Sequence, residues 1–314
     1  MKKLGTLCLI ALIIGLLFMS LSCSKETYLL TIEVNPPQAG TVTGEGKYQP
    51  GETINLTAMA NEGYHFASWT EAGNYLDTQT HTEYTLPSRD VTLMASFYVP
   101  GQGVTDIDGN TYATVIIGQQ EWMAENLRVT RFNDGSSIPH LTEGSDWVQL
   151  TTPAYCWYNN DEADHKNTYG ALYSWFVSEG DSKSGENICP EGWHVPTDAE
   201  WSSLIRFLDP NSDPNELQES LIAGGKLKAA GTANWNTPNT GATNETGFAG
   251  LPGGYRDQGG NFVQKGDLGR WWSADAHQTY GSAWWRSLGN ASSKVTRHHL
   301  LKRQANSIRC IKDR

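Results

Sequence analysis

The sequence predicts an α+β protein in two parts, a small all-β module followed by a larger α+β domain. Three observations carry this. Residues 28–98 alternate apolar and polar side chains at period two between Gly, Pro and Asn turns, as short half-buried strands do. Beyond residue 104 two segments switch to helical periodicity, while strand-like runs stand at both ends of the domain. Eleven of the 12 tryptophans also lie beyond residue 104, so the larger core is there. A length of 314 residues suits two domains. The charge of −11, with no Lys/Arg-rich block, excludes a nucleic-acid binder, which needs a basic face for phosphate.

The first residues read as an address. Met1-Lys2-Lys3 precedes an almost wholly apolar run from Leu4 to Leu21, which ends at Ser22-Cys23 before the chain turns polar. Roughly 18 apolar residues can just span a bilayer. The N-terminal position, the preceding charge and the small residue before the cysteine favour a signal peptide. Residues 1–22 resemble a bacterial lipoprotein signal peptide, with Ser20 where the usual motif has Leu. The resemblance implies a lipid on Cys23, a short tether over 23–27, and membrane anchoring with no spanning helix. It places the protein in the cell envelope, at the outer membrane. Export leaves Cys156, Cys189 and Cys310, three thiols with three possible pairings in a compartment that permits a disulfide.

In the β module, Tyr28, Leu30, Ile32 and Val34 share one face of a first strand, which Asn35-Pro36-Pro37 ends. A short strand follows at Gly40–Thr43, then one with Ile54, Leu56, Ala58 and Ala60 on one face. Tyr64–Trp69 forms another, and Val91, Leu93, Ala95 and Phe97 share a side of the last. Asn35-Pro36, Ala39-Gly40-Thr41-Val42, Leu56-Thr57-Ala58, Gly63-Tyr64-x-Phe66-x-x-Trp69 and Ala95-x-Phe97 together resemble the divergent internalin-type B-repeat, or bacterial repeat domain. The resemblance implies a spacer or adhesion-type module, present in one copy. His65 and His81 lack a partner at ligand spacing and read as surface or packed residues, not zinc ligands. Tyr98–Gly103, with Pro100 and two glycines, reads as a boundary, with residues 99–103 as the linker.

In the domain from 104 to 314, Asp106-x-Asp108-x-Asn110 offers oxygens for calcium but runs into β-branched residues without a later bidentate acid, so a plain turn is expected. Tyr169, Leu172, Tyr173 and Phe176 predict a helix ending near Gly180. Thr197 and Glu200 form a capping box ahead of Trp201, Leu204, Ile205 and Leu208, and Asp209-Pro210 stops that helix. A shorter helix is expected over Asn215–Ala223, and a closing strand over Ser307–Ile311.

Several motifs in this domain then stand in order: Trp157-Tyr158-Asn159-Asn160-Asp161, Tyr169-Gly170-x-Leu172-Tyr173-x-Trp175, Cys189-Pro190-x-Gly192-Trp193-His194-Val195-Pro196-Thr197-Asp198, Leu251-Pro252-Gly253-Gly254-Tyr255-Arg256, and Ser307-Ile308-Arg309-Cys310-Ile311. Together they resemble the Fibrobacter succinogenes major paralogous domain of bacterial lipoproteins. That family is similar in turn to the C-type-lectin-like fold and to the sulfatase-modifying (formylglycine-generating) domain. The lectin-like analogy implies a Cys189–Cys310 disulfide and an unpaired Cys156. The formylglycine-generating activity needs a cysteine pair near the C-terminus, where Cys310 stands alone.

No catalytic constellation is evident. No spacing links Cys156 to His165, His194, His277, His298 or His299, and there is no nucleophile elbow or phosphate loop. Binding fits better, because sugar sites combine aromatic faces with amide and carboxylate groups. The candidate ligand residues are Trp157, Tyr158, Asn159, Asn160, Asp161, Arg256, Trp271 and Trp284. Adjacent tryptophans on a strand point oppositely, so one of each pair Trp271-Trp272 and Trp284-Trp285 would face outward. Asn159–Asp161 with Asp164 offers oxygens to calcium or a glycan hydroxyl, although a turn explains the same run better. The resulting expectation is a non-catalytic envelope lipoprotein that recognises an extracellular glycan or protein, with display alone as one alternative and a divergent formylglycine-generating-like enzyme as a second.

Overall fold

The computed structural model describes residues 26–179 and 187–314, so the expected signal peptide over 1–22 and Cys23 lie outside the described residues. Strand predominates, at 39% against 13% helix. The first module comprises β1 (Tyr28–Asn35), β2 (Gly40–Thr43), β3 (Gly46–Tyr48), β4 (Thr53–Ala60), β5 (His65–Glu71), β6 (Asn74–Asp77), β7 (His81–Thr85) and β8 (Val91–Pro100). β1 lies parallel to β8 in register from Leu30↔Val91 to Asn35↔Ser96, and β5 pairs with β8 antiparallel. A second sheet, β2-β4-β7, contributes Ile54, Leu56 and Ala58 to the same core as Leu30, Ile32, Trp69, Leu93 and Phe97. The period-two reading holds at side-chain level, since Leu30 and Ile32 are buried between exposed Leu29 and Glu33.

β8 does not stop at the expected linker. It runs on through Val99 and Pro100, which pair with Ile116 and Val115. After a small ribbon of β9 (Val104–Thr105) and β10 (Thr111–Tyr112) come β11 (Thr114–Ile117) and β12 (Gln120–Met123). One nine-stranded sheet therefore crosses from one module into the other. A buried hydrogen bond from Ser68 Oγ to Thr243 O (2.6 Å) and the Tyr98 ring fix the junction; a Cβ on Gly247 would lie 2.4 Å from that ring.

The larger domain continues with α1 (Gly144–Val148), β13 (Tyr155–Cys156), α2 (Glu162–Tyr169), β14 (Leu172–Ser174), β15 (Trp193–His194), α3 (Asp198–Leu208), β16 (Gln218–Ser220) and α4 (Ala223–Leu227). It closes with β17 (Tyr255–Arg256), β18 (Phe262–Val263), β19 (Leu268–Ala276), β20 (Ser282–Gly289), β21 (Val295–Leu301), β22 (Ala305–Asn306) and β23 (Ile311–Lys312). β16-β21-β20-β19 form a four-stranded sheet whose two faces feed separate cores.

Two helix expectations are corrected. The stripe from Tyr169 to Phe176 is not a helix: α2 ends at Tyr169, and Leu172–Ser174 is β14, hydrogen-bonded to β13 and β22. Gly170 turns the chain at φ 72, against Asn126 and Leu127, where a Cβ would sit 2.7 Å from a carbonyl oxygen. Spacings of three and four residues fit a strand followed by a 3-10 turn, Trp175–Ser178, as well as they fit a helix. Likewise, residues 215–223 contain β16, and the short helix α4 follows with Gly224 and Gly225 inside it. A Cβ on Gly224 would meet Lys294 O at 2.2 Å, so these glycines admit close backbone packing; they do not end a helix. α3 and its stop at Asp209 are found where expected.

Candidate functional site

The start of α3 shows how the sequence fixes the frame. Thr197 accepts from Glu200 N, and Glu200 accepts from Thr197 N in return, which satisfies two otherwise unpaired donors. Glu200 also holds His194 Nε2 at 3.0 Å, and Asp313 holds His194 Nδ1 at 2.5 Å. The bond to Glu200 chiefly, aided by Asp313 and opposed by burial, pushes the His194 imidazole up to about 9. Burial works against the Glu200 charge, but His194 and Thr197 outweigh it and hold that carboxyl at about 2. Cys189 and Cys310 are joined in a disulfide across 121 residues, tying the segment before β15 to the one before β23.

Half of the sequence-nominated ligand residues, Trp157, Tyr158, Arg256 and Trp271, are built into the interior. Trp157 is 1% exposed, and Tyr158 lies in a buried cluster with Trp147 and Leu172. Asn159 and Asn160 are exposed at positive φ, and Asn160 Nδ2 donates to Thr142 O. Asp161 Oδ1 caps α2 by accepting from Asp164 N. This run is a turn and a helix cap. Arg256 is a correction: its guanidinium donates to Gly260 O, Leu141 O and Thr142 O and lies over the rings of Trp147 and Phe262. With three carbonyls and two rings around it, it has no reach to a ligand.

Trp271 is a second correction. It and Trp272 are both buried, because β19 is covered on both faces: Trp271 packs with Trp201 and Phe248, and Trp272 belongs to the opposite core. Trp284 is half-buried, with the Arg297 guanidinium 3.5 Å above its ring and His277 packed edge-on. Asp106 accepts from Asp108 N, Asn110 N and Tyr112 OH, while Asp108 engages Thr130 and Arg131, so that motif is a turn whose oxygens are occupied. Cys156 is unpaired and buried, and burial pushes its thiol up to about 12 despite nearby Arg256, which makes it a poor nucleophile. Among the described residues no three His, Cys, Asp or Glu side chains group to hold a metal ion.

A cleft of about 920 Å³ opens instead where the modules meet. The first module lines it with Asn35 and Pro36 at the end of β1, Gln38, and Tyr64 ahead of β5. The larger domain supplies Ile116, the β11–β12 turn Gly118-Gln119, Phe207 of α3, and the Lys226–Glu245 pair. Phe207 is 61% exposed and Ile116 42%. Gly118 adopts φ 63 directly beneath the Phe207 ring, which lets the ring lie across the turn. Gln38 Nε2 donates to Tyr64 OH at 3.1 Å, whereas the side chains of Asn35 and Gln119 make no hydrogen bond among the described residues. These residues were missed in the sequence because they come from distant segments. One signal was present: Phe207 falls off the buried stripe Trp201, Leu204, Ile205, Leu208 and places an aromatic ring on the outer face of the helix.

Comparison with known proteins agrees with this two-part architecture. The family model described as the Divergent InlB B-repeat domain matches residues 30–99. The one described as the Fibrobacter succinogenes major domain matches residues 115–312. No curated protein and no solved structure gives a match. The two domain types together suggest an extracellular or envelope surface protein. Since the second match covers well over half of the sequence, the chain belongs to the Fibrobacter succinogenes major domain family.

Proposed function

We propose that the protein is a lipid-anchored envelope protein whose junction cleft takes up an extracellular ligand without transforming it. The observation that carries this reading is the cleft itself, with exposed aromatic and aliphatic surface beside amides that have no internal partner. Concave sites of this size and mixed chemistry at domain junctions are the usual setting for ligand binding. The non-catalytic part rests on the buried, proton-retaining Cys156 and on the absence of grouped metal ligands among the described residues. Anchoring rests on the Lys2-Lys3, apolar run and Cys23 pattern, and the lectin-like resemblance of the larger domain accords with recognition.

Metabolic palmitate labelling with fractionation, followed by binding of the mature chain to immobilised glycans and envelope proteins, tests the reading. Label on the wild type but not on Cys23→Ala, together with saturable retention of one ligand class unchanged in mass, is expected. An unlabelled protein in the cytosol, or conversion of the bound ligand, overturns it.

A further inference from the structure

We infer that the cleft is a site for a short, uncharged oligosaccharide and that the repeat module supplies half of it, so the module sets specificity and is more than a spacer; this rests on the recognition reading above. The two walls come from different family domains. Asn35, Gln38 and Tyr64 belong to the repeat, whereas Ile116, Gln119 and Phe207 belong to the larger domain. Neither wall forms a cleft alone.

The chemistry of the lining selects the ligand class. Amide side chains offer a donor and an acceptor side by side and so match adjacent hydroxyl groups. Asn35 and Gln119 have that capacity free, and the Gln38 Oε1 acceptor is free while its Nε2 donates to Tyr64 OH at 3.1 Å. The Phe207 ring, supported from beneath by Gly118, presents a flat apolar face of the kind that covers the C–H face of a sugar. Charge argues against an ionic ligand. Lys226 and Glu245 pair with each other at 3.4 Å, which leaves Arg314 as the other charged lining residue on a chain of −11. A peptide would seek unpaired backbone edges, and the strands at this junction, β8 and β11, are bonded to each other.

The walls are also held in place before any ligand arrives. β8 runs through both modules, Ser68 Oγ reaches Thr243 O in the interior, and Tyr98 packs on Gly247. A preformed cleft avoids the ordering cost that weakens binding to a mobile junction.

The experiment uses the full mature chain with Cys23→Ser, printed against neutral and acidic oligosaccharides, followed by calorimetric titration with the neutral oligosaccharide retained best. Phe207→Ala on one wall and Gln38→Ala on the other alter exposed side chains, and Tyr64→Phe removes only the hydroxyl. Met59→Ala, at an exposed position of β4 outside the cleft, is the control. Wild-type binding is expected to persist in 0.5–1 M salt (roughly a 3–4 Å screening length). Phe207→Ala should weaken it by about tenfold or more and Gln38→Ala and Tyr64→Phe by about three- to tenfold, as for loss of a stacking face or a hydrogen bond. Unchanged affinity in the repeat-side variants overturns the shared site while leaving recognition standing. Retention of acidic glycans alone, or of an envelope protein and no glycan, overturns the ligand class. Silence on every glycan and protein by a chain that melts normally removes the recognition reading as well.

Discussion

Replacing His194 with Ala should destabilise the protein in a manner that depends on pH. His194 links Glu200, inside the α3 capping box, to Asp313 beyond the terminal strand β23. A rise from 6.5 to about 9 corresponds to roughly 3 kcal/mol of folding free energy. The side chains of His194 and Asp313 are 30% and 55% exposed, so solvent screening reduces this to about 1–2 kcal/mol. Because the folded value is raised, the contribution is fully present below pH 6.5 and is lost as pH climbs through about 9. The Glu200 contribution has the opposite sense: it is present above pH 4.5 and is lost as pH falls through about 2. Thermal melts of wild type and His194→Ala at pH 6 should differ by about 3–6 °C for a domain of this size. At pH 10 the two curves should nearly coincide. An equal gap at pH 6 and pH 10 would show that the ring acts by packing, and the charge-linkage account would fail.

Three further outcomes follow from burial and chain geometry. Converting Cys189 and Cys310 to serine together opens a loop closed across 121 residues, which should cost about 5 kcal/mol in the chain-entropy treatment; a change in the denaturation midpoint too small for even 1 kcal/mol would contradict it. In the same preparations Cys156 should resist a thiol reagent at pH 8 until the chain unfolds, and labelling of the native protein at a free-thiol rate would refute its burial. Gly224→Ala should lose about 2–3 kcal/mol, because the added methyl meets the Lys294 carbonyl, which is main chain and cannot swing aside. An unaltered urea midpoint would count against that close packing.

The parts that were legible in the sequence are those decided by neighbouring residues. Alternation in Tyr28–Val34 and the Thr197–Glu200 box depend on local spacing, and both elements stand where the residues indicate. The stripe at Tyr169–Phe176 misled because Gly170 is chosen by its fit against Asn126 and Leu127, more than 40 residues away. Trp271 and Arg256 misled for a related reason. Aromatic and cationic side chains are as useful for filling a layered interior as for meeting a ligand, and only the second layer over β19 and the carbonyls of Leu141 and Thr142 decide between those uses. The cleft was invisible as a unit because its walls lie in separate domains, and Phe207 alone carried a local sign of it.

The passage of β8 across the junction bears on how the molecule can be divided. A cut within residues 99–103 strips the larger domain of the strand that covers β11, leaving Val115 and Ile116 with unsatisfied main-chain groups on an apolar border. It also lifts Tyr98 from the hollow over Gly247. A truncation starting at residue 104 therefore begins life with a raw seam that invites self-association, and the two domains are better handled as one unit for expression.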